Sequence, residues 1–284
     1  MGSLILKEAT KSYKHKVVLN KVNMRFENKG VYLLAGPNGS GKTTLLESIV
    51  GLRVFDSGLI ETNIDKKAFL FQENNLRKLS TVKEELGLVA ELYHIKKDIT
   101  EVARKYQFGE YLNLKTVSLS GGTKRRILVA MTLMTNTDLV VLDEPASGLD
   151  TFNRKEIWSL IKEYGKNHVV IVSDHYLNQA AEYSDYVYML HGGEVVENDT
   201  IKNLRVKLSK YLYISVDDQV RDRITVQLKE NNISYTERST GQNFYFYIKA
   251  NDEAKLFAEK YNYDLQNLSF EDGYLFYTGD ESNA

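Results

Sequence analysis

The chain of 284 residues has no cysteine and only two prolines, and it carries no long apolar run. The lack of cysteine excludes a disulfide framework, a thiolate metal site and a cysteine nucleophile, and it fits a reducing compartment. The longest apolar stretches, such as 169–172, are far shorter than the ~20 residues that span a bilayer as a helix. The first residues have neither the basic start nor the apolar stretch of a signal peptide. We therefore expect a soluble chain that reaches a membrane only through a partner.

The charges are balanced overall but unevenly distributed along the chain. The formal net charge is −1, from 37 basic and 38 acidic side chains. Residues 1–210 carry 30 basic and 25 acidic side chains, whereas residues 211–284 carry 7 and 13. The last 74 residues also hold 9 of the 19 tyrosines. There is no long block of lysine or arginine, so we expect no nucleic-acid partner. The change in composition predicts a domain boundary near residue 210.

Apolar periodicity predicts strands that alternate with helices in the first part of the chain. Residues 3–7 and 21–27 predict short strands, 139–142 predicts a buried strand, and 81–107 has the apolar spacing of a helix. This alternation is typical of an α/β fold with a largely parallel sheet covered by helices on both faces. Residues 211–268 predict the order β-α-β-β-α-β, which is the ferredoxin-like split motif of a small α+β domain.

A glycine-rich segment follows the predicted strand 30–35 and opens a helix. Glycines at these spacings let the backbone form a cradle whose N–H groups face phosphate oxygens, and the helix N-terminus adds partial positive charge. Lys42 can then reach the β- and γ-phosphates, and Thr43 can place its hydroxyl on Mg²⁺. A glycine-rich turn before an ordinary helix is the alternative, but the strand–loop–helix context favours a nucleotide site. Its residues are Gly36, Pro37, Asn38, Gly39, Ser40, Gly41, Lys42, Thr43 and Thr44.

Two adjacent carboxylates, Asp143 and Glu144, end the apolar run 139–142. Burial of an unpaired charge is costly, so adjacent charges at the end of a buried strand indicate a use. In proteins with a phosphate loop, an aspartate at this place holds Mg²⁺, and the glutamate after it can polarise the attacking water. Taken alone, the pair is better explained as the start of a solvated loop. Downstream of a phosphate loop, we interpret it as a magnesium ligand and a catalytic carboxylate.

Five further motifs occur in the order of one known family. The segment LSGGT at 119–123 resembles the signature sequence of ATP-binding cassette (ABC) ATPases, and 144–150 resembles the run from the catalytic glutamate to the D-loop. Gln72 and His175 resemble the Q-loop glutamine and the switch histidine, and Tyr13 resembles the aromatic residue that stacks on adenine. Together with the phosphate loop, these motifs identify the chain as a member of the ABC ATPases.

The resemblance implies an ATPase whose cofactors are ATP and Mg²⁺. Its catalytic residues are Glu144, His175 and Gln72, and its magnesium ligands are Thr43, Gln72 and Asp143. Each nucleotide site is shared between two cassettes, so the implied partner is a second cassette, in a homodimer or a heterodimer. The residues expected to act on the partner's ATP are Ser120, Gly121, Gly122 and Asp150.

The resemblance also implies how the chain is divided and where it works. Residues 1–210 form the ABC cassette, with antiparallel strands near the N-terminus and a small helical subdomain at about 73–135. Residues 211–284 form an accessory C-terminal domain. The helical subdomain docks on a separate integral-membrane permease, which places the protein at the cytoplasmic face of the cell membrane. Thr123 stands where glutamine is commoner in the signature motif, and we expect it to tune the site without abolishing it.

The end of the chain carries a second resemblance. Residues 268–279 are similar to the "SLEDVFLxLTG" ending of exporter ATPases that handle drugs, antimicrobial or amphipathic peptides, lipids or polysaccharides, although Gly273 replaces an apolar residue. We therefore interpret the chain as the ATP-hydrolysing subunit that powers an export permease. One alternative is the ATPase of an ABC importer, against which only this ending argues. The other is a soluble ABC ATPase that acts on ribosomes or DNA. Such proteins usually carry two cassettes, a long coiled-coil insertion or zinc-binding cysteines. None of these features occurs in this sequence, which argues against this alternative.

Overall fold

The computed structural model describes residues 2–73, 75–96 and 98–278, and this part of the chain contains three β-sheets packed with helices. The strands are β1 (Leu4–Tyr13), β2 (Lys16–Phe26), β3 (Gly30–Ala35), β4 (Ser57–Thr62), β5 (Lys67–Leu70), β6 (Leu139–Asp143), β7 (Val169–Asp174), β8 (Tyr186–His191), β9 (Glu194–Thr200), β10 (Tyr211–Asp217), β11 (Tyr235–Thr240), β12 (Asn243–Lys249) and β13 (Gln266–Asn267). The helices are α1 (Lys42–Ile49), α2 (Val82–Leu92), α3 (Ile99–Lys105), α4 (Gly121–Met134), α5 (Thr151–Gly165), α6 (Leu177–Tyr183), α7 (Ile201–Leu208), α8 (Asp218–Glu230), α9 (Asp252–Tyr261) and α10 (Phe270–Thr278).

Some predicted features fall partly on residues outside this description. Asn74 and Lys97 belong to the predicted helical subdomain, and 279–284 end the predicted accessory domain. Gly279 is also the last residue of the segment that resembles an exporter ending. Among the described residues, no helix is both long and apolar enough to cross a bilayer.

The central sheet has six strands in the order β5-β6-β7-β3-β8-β9, and only β9 runs antiparallel to its neighbour. Strands β3, β6 and β7 are buried along their whole length, because helices cover both faces of the sheet. The predicted α/β fold with a largely parallel sheet is therefore confirmed. Parallel pairing brings Asp143 opposite Ser173 and Ala35 opposite Asp174, so the carboxyl ends of three strands meet at one edge. In open α/β sheets this edge is where ligands bind.

A second sheet has three antiparallel strands in the order β2-β1-β4. It packs with α1 against one face of the central sheet. The sequence predicts short strands at 3–7 and 21–27, whereas β1 and β2 have 10 and 11 residues. Register shifts interrupt their pairing, and Glu8 and Lys21 adopt positive φ values of 49° and 46°. Such bulges break the alternation of buried and exposed side chains, which is why the sequence pattern shows only part of each strand.

The region that the sequence predicts as one helical run at 81–107 consists of two helices. Thr81 and Glu84 form a capping box at the start of α2, and the helix ends before His94, which has a φ of 52°. Asp98 caps α3 by accepting the backbone N–H of Thr100 at 2.8 Å. The periodicity therefore predicts helix in the right region but misses the turn between the two helices, because apolar spacing alone does not mark a helix end.

Residues 211–267 form a four-stranded antiparallel sheet in the order β11-β12-β10-β13. Helices α8 and α9 pack on one face of this sheet around Ile214, Phe246 and Phe257. Helix α8 joins β10 to β11, and α9 joins β12 to β13. In both cases the two joined strands are not neighbours in the sheet. This is the topology of the ferredoxin-like split motif, and the predicted β-α-β-β-α-β order is confirmed.

Helix α10 lies between the C-terminal sheet and the core of the central sheet. Its N-terminus is capped from α6, because Asn178 Oδ1 accepts the backbone N–H of Phe270 at 2.8 Å and of Glu271 at 3.1 Å. Phe270 is buried in the same apolar cluster as the central sheet. On the other side, the ring of Phe276 packs 4.8 Å from Tyr211 and 5.1 Å from Tyr247. Helix α10 therefore contacts both the last sheet and the core of the central sheet.

Gly273 lets α10 approach α7 closely, and its substitution tests this packing. A Cβ built at Gly273 lies 2.5 Å from Leu208 Cδ1, and Leu208 is buried. We expect Gly273→Val to lower the free energy of unfolding by about 1–3 kcal/mol, because overpacking forces buried side chains out of place. Gly87→Ala in α2 is the matched control, since among the described neighbours outside its own helix a Cβ there would meet only Ile99 Cδ1, at 3.8 Å. It should be neutral or stabilising by about 0.5–1 kcal/mol. Chemical denaturation checks both values, and an equally stable Gly273→Val variant would contradict the close packing.

Candidate functional site

The predicted phosphate loop connects β3 to α1 at the ligand-binding edge of the central sheet. Gly39 and Gly41 have φ values of 82° and 102°, which non-glycine residues rarely adopt. A Cβ on Gly36 would lie 2.5 Å from the Leu190 carbonyl oxygen, and one on Gly41 would lie 2.8 Å from the Val18 carbonyl oxygen. Gly41 is also the N-cap residue of α1 and has no side chain to cap it. The first N–H groups of α1 therefore suit an anionic ligand.

Lys42 is buried in this loop and turned toward its backbone. The ammonium nitrogen Nζ donates to the carbonyl oxygens of Gly36 at 2.8 Å and Pro37 at 3.0 Å. Burial lowers the pKa of Lys42, while the nearby carboxylates of Glu144, Asp143 and Asp174 raise it. The hydroxyl of Ser40 is also buried and has no hydrogen-bond partner among the described residues. The loop thus holds a cation and a spare hydroxyl, both able to bind phosphate oxygens.

The magnesium ligands predicted from the sequence include a pair that meets in the structure. Thr43 Oγ1 donates to Asp143 Oδ2 at 2.7 Å, and Ser173 Oγ donates to the other oxygen, Oδ1, at 2.5 Å. Ser173 in turn accepts the backbone N–H of Glu144 at 2.9 Å. Hydroxyl and carboxylate oxygens at this separation are the hard donors that Mg²⁺ prefers, so Thr43 and Asp143 fit the predicted metal. Gln72, the third predicted ligand, contacts Glu144 instead of this pair.

Two of the predicted catalytic residues, Gln72 and His175, lie beside one carboxylate oxygen of the third, Glu144. Gln72 Nε2 donates to Glu144 Oε2 at 2.9 Å, and His175 Nδ1 lies 3.6 Å from the same oxygen. Glu144 is buried, whereas Gln72 and His175 are exposed toward the edge of the sheet. Glu144 also has a φ of 45°, a strained value for a residue with a side chain. The arrangement places a carboxylate, an amide and an imidazole beside the phosphate loop.

The residues predicted to act on a partner's ATP lie at helix N-termini. Ser120 is exposed and caps α4 by accepting the backbone N–H of Thr123 at 3.2 Å, while the two hydroxyl oxygens lie 2.9 Å apart. Gly121 and Gly122 form the first turn of α4. Asp150 caps α5 through the backbone N–H of Asn153 at 3.0 Å. The described hydrogen bonds of Ser120 and Asp150 stay within their own helices and do not reach the phosphate loop.

Tyr13, the predicted adenine-stacking residue, lies at the end of β1 and is 38% exposed. Lys11 Nζ and the Arg53 guanidinium each lie 5.6 Å from the centre of its ring. Arg53 is also ion-paired with Glu47 of α1. The exposed ring of Tyr13 is therefore linked to α1, the helix after the phosphate loop, through Arg53 and Glu47.

Three residues of this region were not singled out by the sequence analysis. Ser173 joins Asp143 to the backbone of Glu144, as described above. Asp174 is buried with one carboxylate oxygen that has no partner among the described residues, and burial raises its pKa. Arg125, on α4, is buried and donates to the backbone of the segments that carry Gln72 and Glu144. A polar residue at the end of an apolar strand could have indicated Ser173 and Asp174, but no sequence pattern marks Arg125.

Comparisons with known proteins show the family to which the chain belongs. The family model described as "ABC transporter" matches residues 19–147. An uncharacterized ABC transporter ATP-binding protein of Rhizobium meliloti is 31% identical over 229 residues, which cover 72% of this chain and 85% of the relative. The bacitracin transport ATP-binding protein BcrA of Bacillus licheniformis is 29% identical over 228 residues, or 75% of this chain and 74% of that protein. In longer relatives, such as the ABC transporter G family member 20 of Dictyostelium discoideum, the match spans only 29% of the relative.

Solved structures show the same fold. A dimeric ATP-binding cassette in a post-hydrolysis state, bound to ADP and Pi, matches with a TM-score of 0.62 and 26% identity, over 70% of this chain and 98% of that one. An ATP-binding subunit of an ABC transporter matches with a TM-score of 0.65 over 72% of this chain and 92% of that one, at 24% identity. The chain belongs to the ATP-binding proteins of ABC transporters, which hydrolyse ATP to power transport.

Proposed function

We propose that this chain is the ATPase subunit of an ABC exporter and that it powers a separate membrane permease from the cytoplasmic face. The observation that supports the ATPase site is that Gln72 and His175 both lie beside Glu144 Oε2, next to the Thr43–Asp143 pair. Export is supported by the resemblance of residues 268–279 to an exporter ending. One relative is named for bacitracin transport, which supports a role in transport. The importer ATPase remains the second candidate, since the site itself is common to both directions.

The proposed reaction is the attack of water on the γ-phosphorus of ATP, with ADP and phosphate as products. Glu144 accepts a proton from the attacking water, and Gln72 and His175 hold the carboxylate and the water in line with the phosphate. Lys42 and the N–H groups at 36–44 bind the phosphate oxygens, and Tyr13 stacks on the adenine. Such catalysis consists mainly of positioning and electrostatic stabilisation. Mg²⁺, held by Thr43 and Asp143, would neutralise phosphate charge when bound.

The second cassette completes each site in this proposal. Ser120 and the N–H groups of Gly121 and Gly122 lie at the N-terminus of α4, whose dipole favours an anion. Their described hydrogen bonds do not reach the phosphate loop of their own chain, which supports a role toward the γ-phosphate of a partner's ATP. Asp150, at the N-terminus of α5, would contact the partner's phosphate loop. The partner is a second copy of this chain or a related cassette.

Glu144→Gln tests the proposed base in the purified protein. The amide keeps the size of the side chain but accepts no proton, so we expect ATP turnover to fall roughly 10²–10⁴-fold with ATP binding retained. Lys42→Ala should differ, since it removes a phosphate ligand and weakens ATP binding as well. Phosphate release and equilibrium binding of a fluorescent ATP analogue measure the two effects. An unchanged turnover in Glu144→Gln would rule out the assignment of the base.

The same variant tests the direction of transport in cells that carry the cognate permease. An exporter without hydrolysis leaves its substrate inside, so Glu144→Gln should raise the accumulation of a labelled amphipathic peptide and increase sensitivity to it. An importer variant would lower accumulation instead. The wild-type protein expressed at the same level is the control. Reduced accumulation of the peptide in the variant would favour the importer.

Ser120→Arg tests the shared site. We expect Glu144→Gln to dimerise when ATP is added, because ATP binds between two cassettes and is not hydrolysed. Adding Ser120→Arg should abolish this association, since a long side chain would crowd the γ-phosphate. Ser159→Arg, on the exposed side of α5, is the matched control and should leave it intact. Size-exclusion chromatography with and without ATP gives the result. ATP-dependent dimers that tolerate Ser120→Arg would exclude the proposed role of the signature motif.

We also propose that residues 1–210 are a cassette domain and 211–284 an accessory domain. The cluster around Phe246 is separate from the core of the central sheet, which supports the division. Truncation after residue 210 should leave a folded protein that binds ATP. Its stability should be lower, because Phe270 and Tyr274 of α10 no longer cover the cassette core. Circular dichroism and nucleotide binding test this. A truncated protein that aggregates and binds no nucleotide would show that the two parts fold as one.

A further inference from the structure

One buried guanidinium, that of Arg125, holds the backbone of two segments that carry proposed catalytic side chains. Arg125 is only 8% exposed and lies five residues after Ser120 on α4. Its nitrogen atoms donate to five backbone carbonyl oxygens. These are Nη1 to Phe71 at 3.1 Å and Gln72 at 3.1 Å, Nη2 to Asp143 at 3.0 Å and Glu144 at 2.9 Å, and Nε to Pro145 at 2.9 Å.

These bonds fix the strained turn at Glu144 from one side. The φ of 45° at Glu144 is a conformation that persists only where the surroundings hold it. The hydroxyl of Ser173 holds the backbone N–H of Glu144 at 2.9 Å, and Arg125 holds its carbonyl oxygen. Without the guanidinium, the Glu144 carbonyl oxygen keeps only the weaker bond from the backbone N–H of Ser147, at 3.2 Å, among the described residues. The side-chain direction that depends on the strained φ is then held less firmly.

The same guanidinium also fixes the segment that carries Gln72. Its Nη1 bonds to the carbonyl oxygens of Phe71 and Gln72, and the Gln72 side chain donates to Glu144 Oε2 at 2.9 Å. The amide and the carboxylate that meet above the site are therefore attached, through their backbones, to a single planar group. An arginine suits this task because its fork offers five N–H donors in a fixed geometry, which a lysine ammonium does not.

We propose that Arg125 is a positioning residue for ATP hydrolysis, which couples α4 to the backbones of Gln72 and Glu144. The inference rests on the proposed function, because it assumes that these two side chains act on the water and the phosphate. Helix α4 begins at the signature motif, so a shift of α4 on binding a partner's ATP moves both peptides together. Arg125 therefore joins assembly of the shared site to orientation of the base. It does not itself touch ATP.

The first test compares Arg125→Lys and Arg125→Met in the full-length protein. We expect Arg125→Met to lower kcat roughly 10–100-fold with KM for ATP changed less than about twofold, since misplacing a catalytic group costs rate more than binding. Arg125→Lys keeps the charge and some of the bonds, so its kcat should lie between those of the methionine variant and the wild type. Wild-type kcat in both variants would overturn the proposal.

Arg238→Met is the matched control for the loss of a buried arginine. Arg238 is also buried and also donates to backbone carbonyl oxygens, to Phe276 at 3.2 Å and Glu237 at 3.3 Å, but in the C-terminal sheet. We expect it to lower the unfolding midpoint and leave kcat unchanged. An equal loss of kcat in Arg238→Met would mean that Arg125 acts only through general stability, which would overturn its positioning role.

A double variant separates this inference from the proposed function. If Arg125 acts by positioning Glu144, Arg125→Lys should slow single-turnover hydrolysis in the wild-type background but not further in Glu144→Gln. Fully additive losses of rate would contradict the coupling, even if Glu144 is the base. If Glu144→Gln alone keeps wild-type turnover, the proposed base fails, and the positioning of Glu144 by Arg125 fails with it.

Discussion

The parallel pairing of β6 with β7 is the constraint on which the candidate site depends. It places Asp143 opposite Ser173 in register, so that one hydroxyl lies between the Asp143 carboxylate and the backbone N–H of Glu144. A shift by one residue would turn these side chains to the other face of the sheet. The apolar runs of both strands, buried on both faces, fix that register. The hydrophobic pattern of the core therefore determines where the polar atoms of the site lie.

Much of the site could be predicted because its residues lie in short local motifs. The phosphate loop needs glycines at set positions, and the carboxylates follow a recognisable strand, so Lys42, Asp143 and Glu144 are visible in the sequence. Arg125 is different, because its partners are backbone carbonyl oxygens that only the fold brings near. Carbonyl oxygens belong to every residue, so a side chain that binds them leaves no pattern in the sequence.

The fold shows the same division between local and long-range information. The ferredoxin-like order of 211–267 follows from periodicity, because each strand and helix buries one face of its own. The lengths of β1 and β2 do not, since bulges break their alternation. Gly273 is a departure from the family ending when the sequence is considered alone. In the structure it follows from packing, because Leu208 occupies the space that a larger side chain would need.

Buried charges are concentrated around the candidate site, although burial of charge disfavours folding. Lys42, Arg125, Asp143, Glu144 and Asp174 are all buried at one edge of the central sheet. Burial lowers the pKa of Lys42 and of Arg125 and raises that of Asp174, so desolvation acts against the charged form of each. Nearby opposite charges offset part of this cost, because the carboxylates of Asp143 and Glu144 raise the pKa of both cations. Buried groups with shifted pKa values cluster at functional sites, where they bind charged ligands or transfer protons. The strain at Glu144 and the unpartnered oxygen of Asp174 lie at the same edge, so two locally unfavourable features coincide with the candidate site.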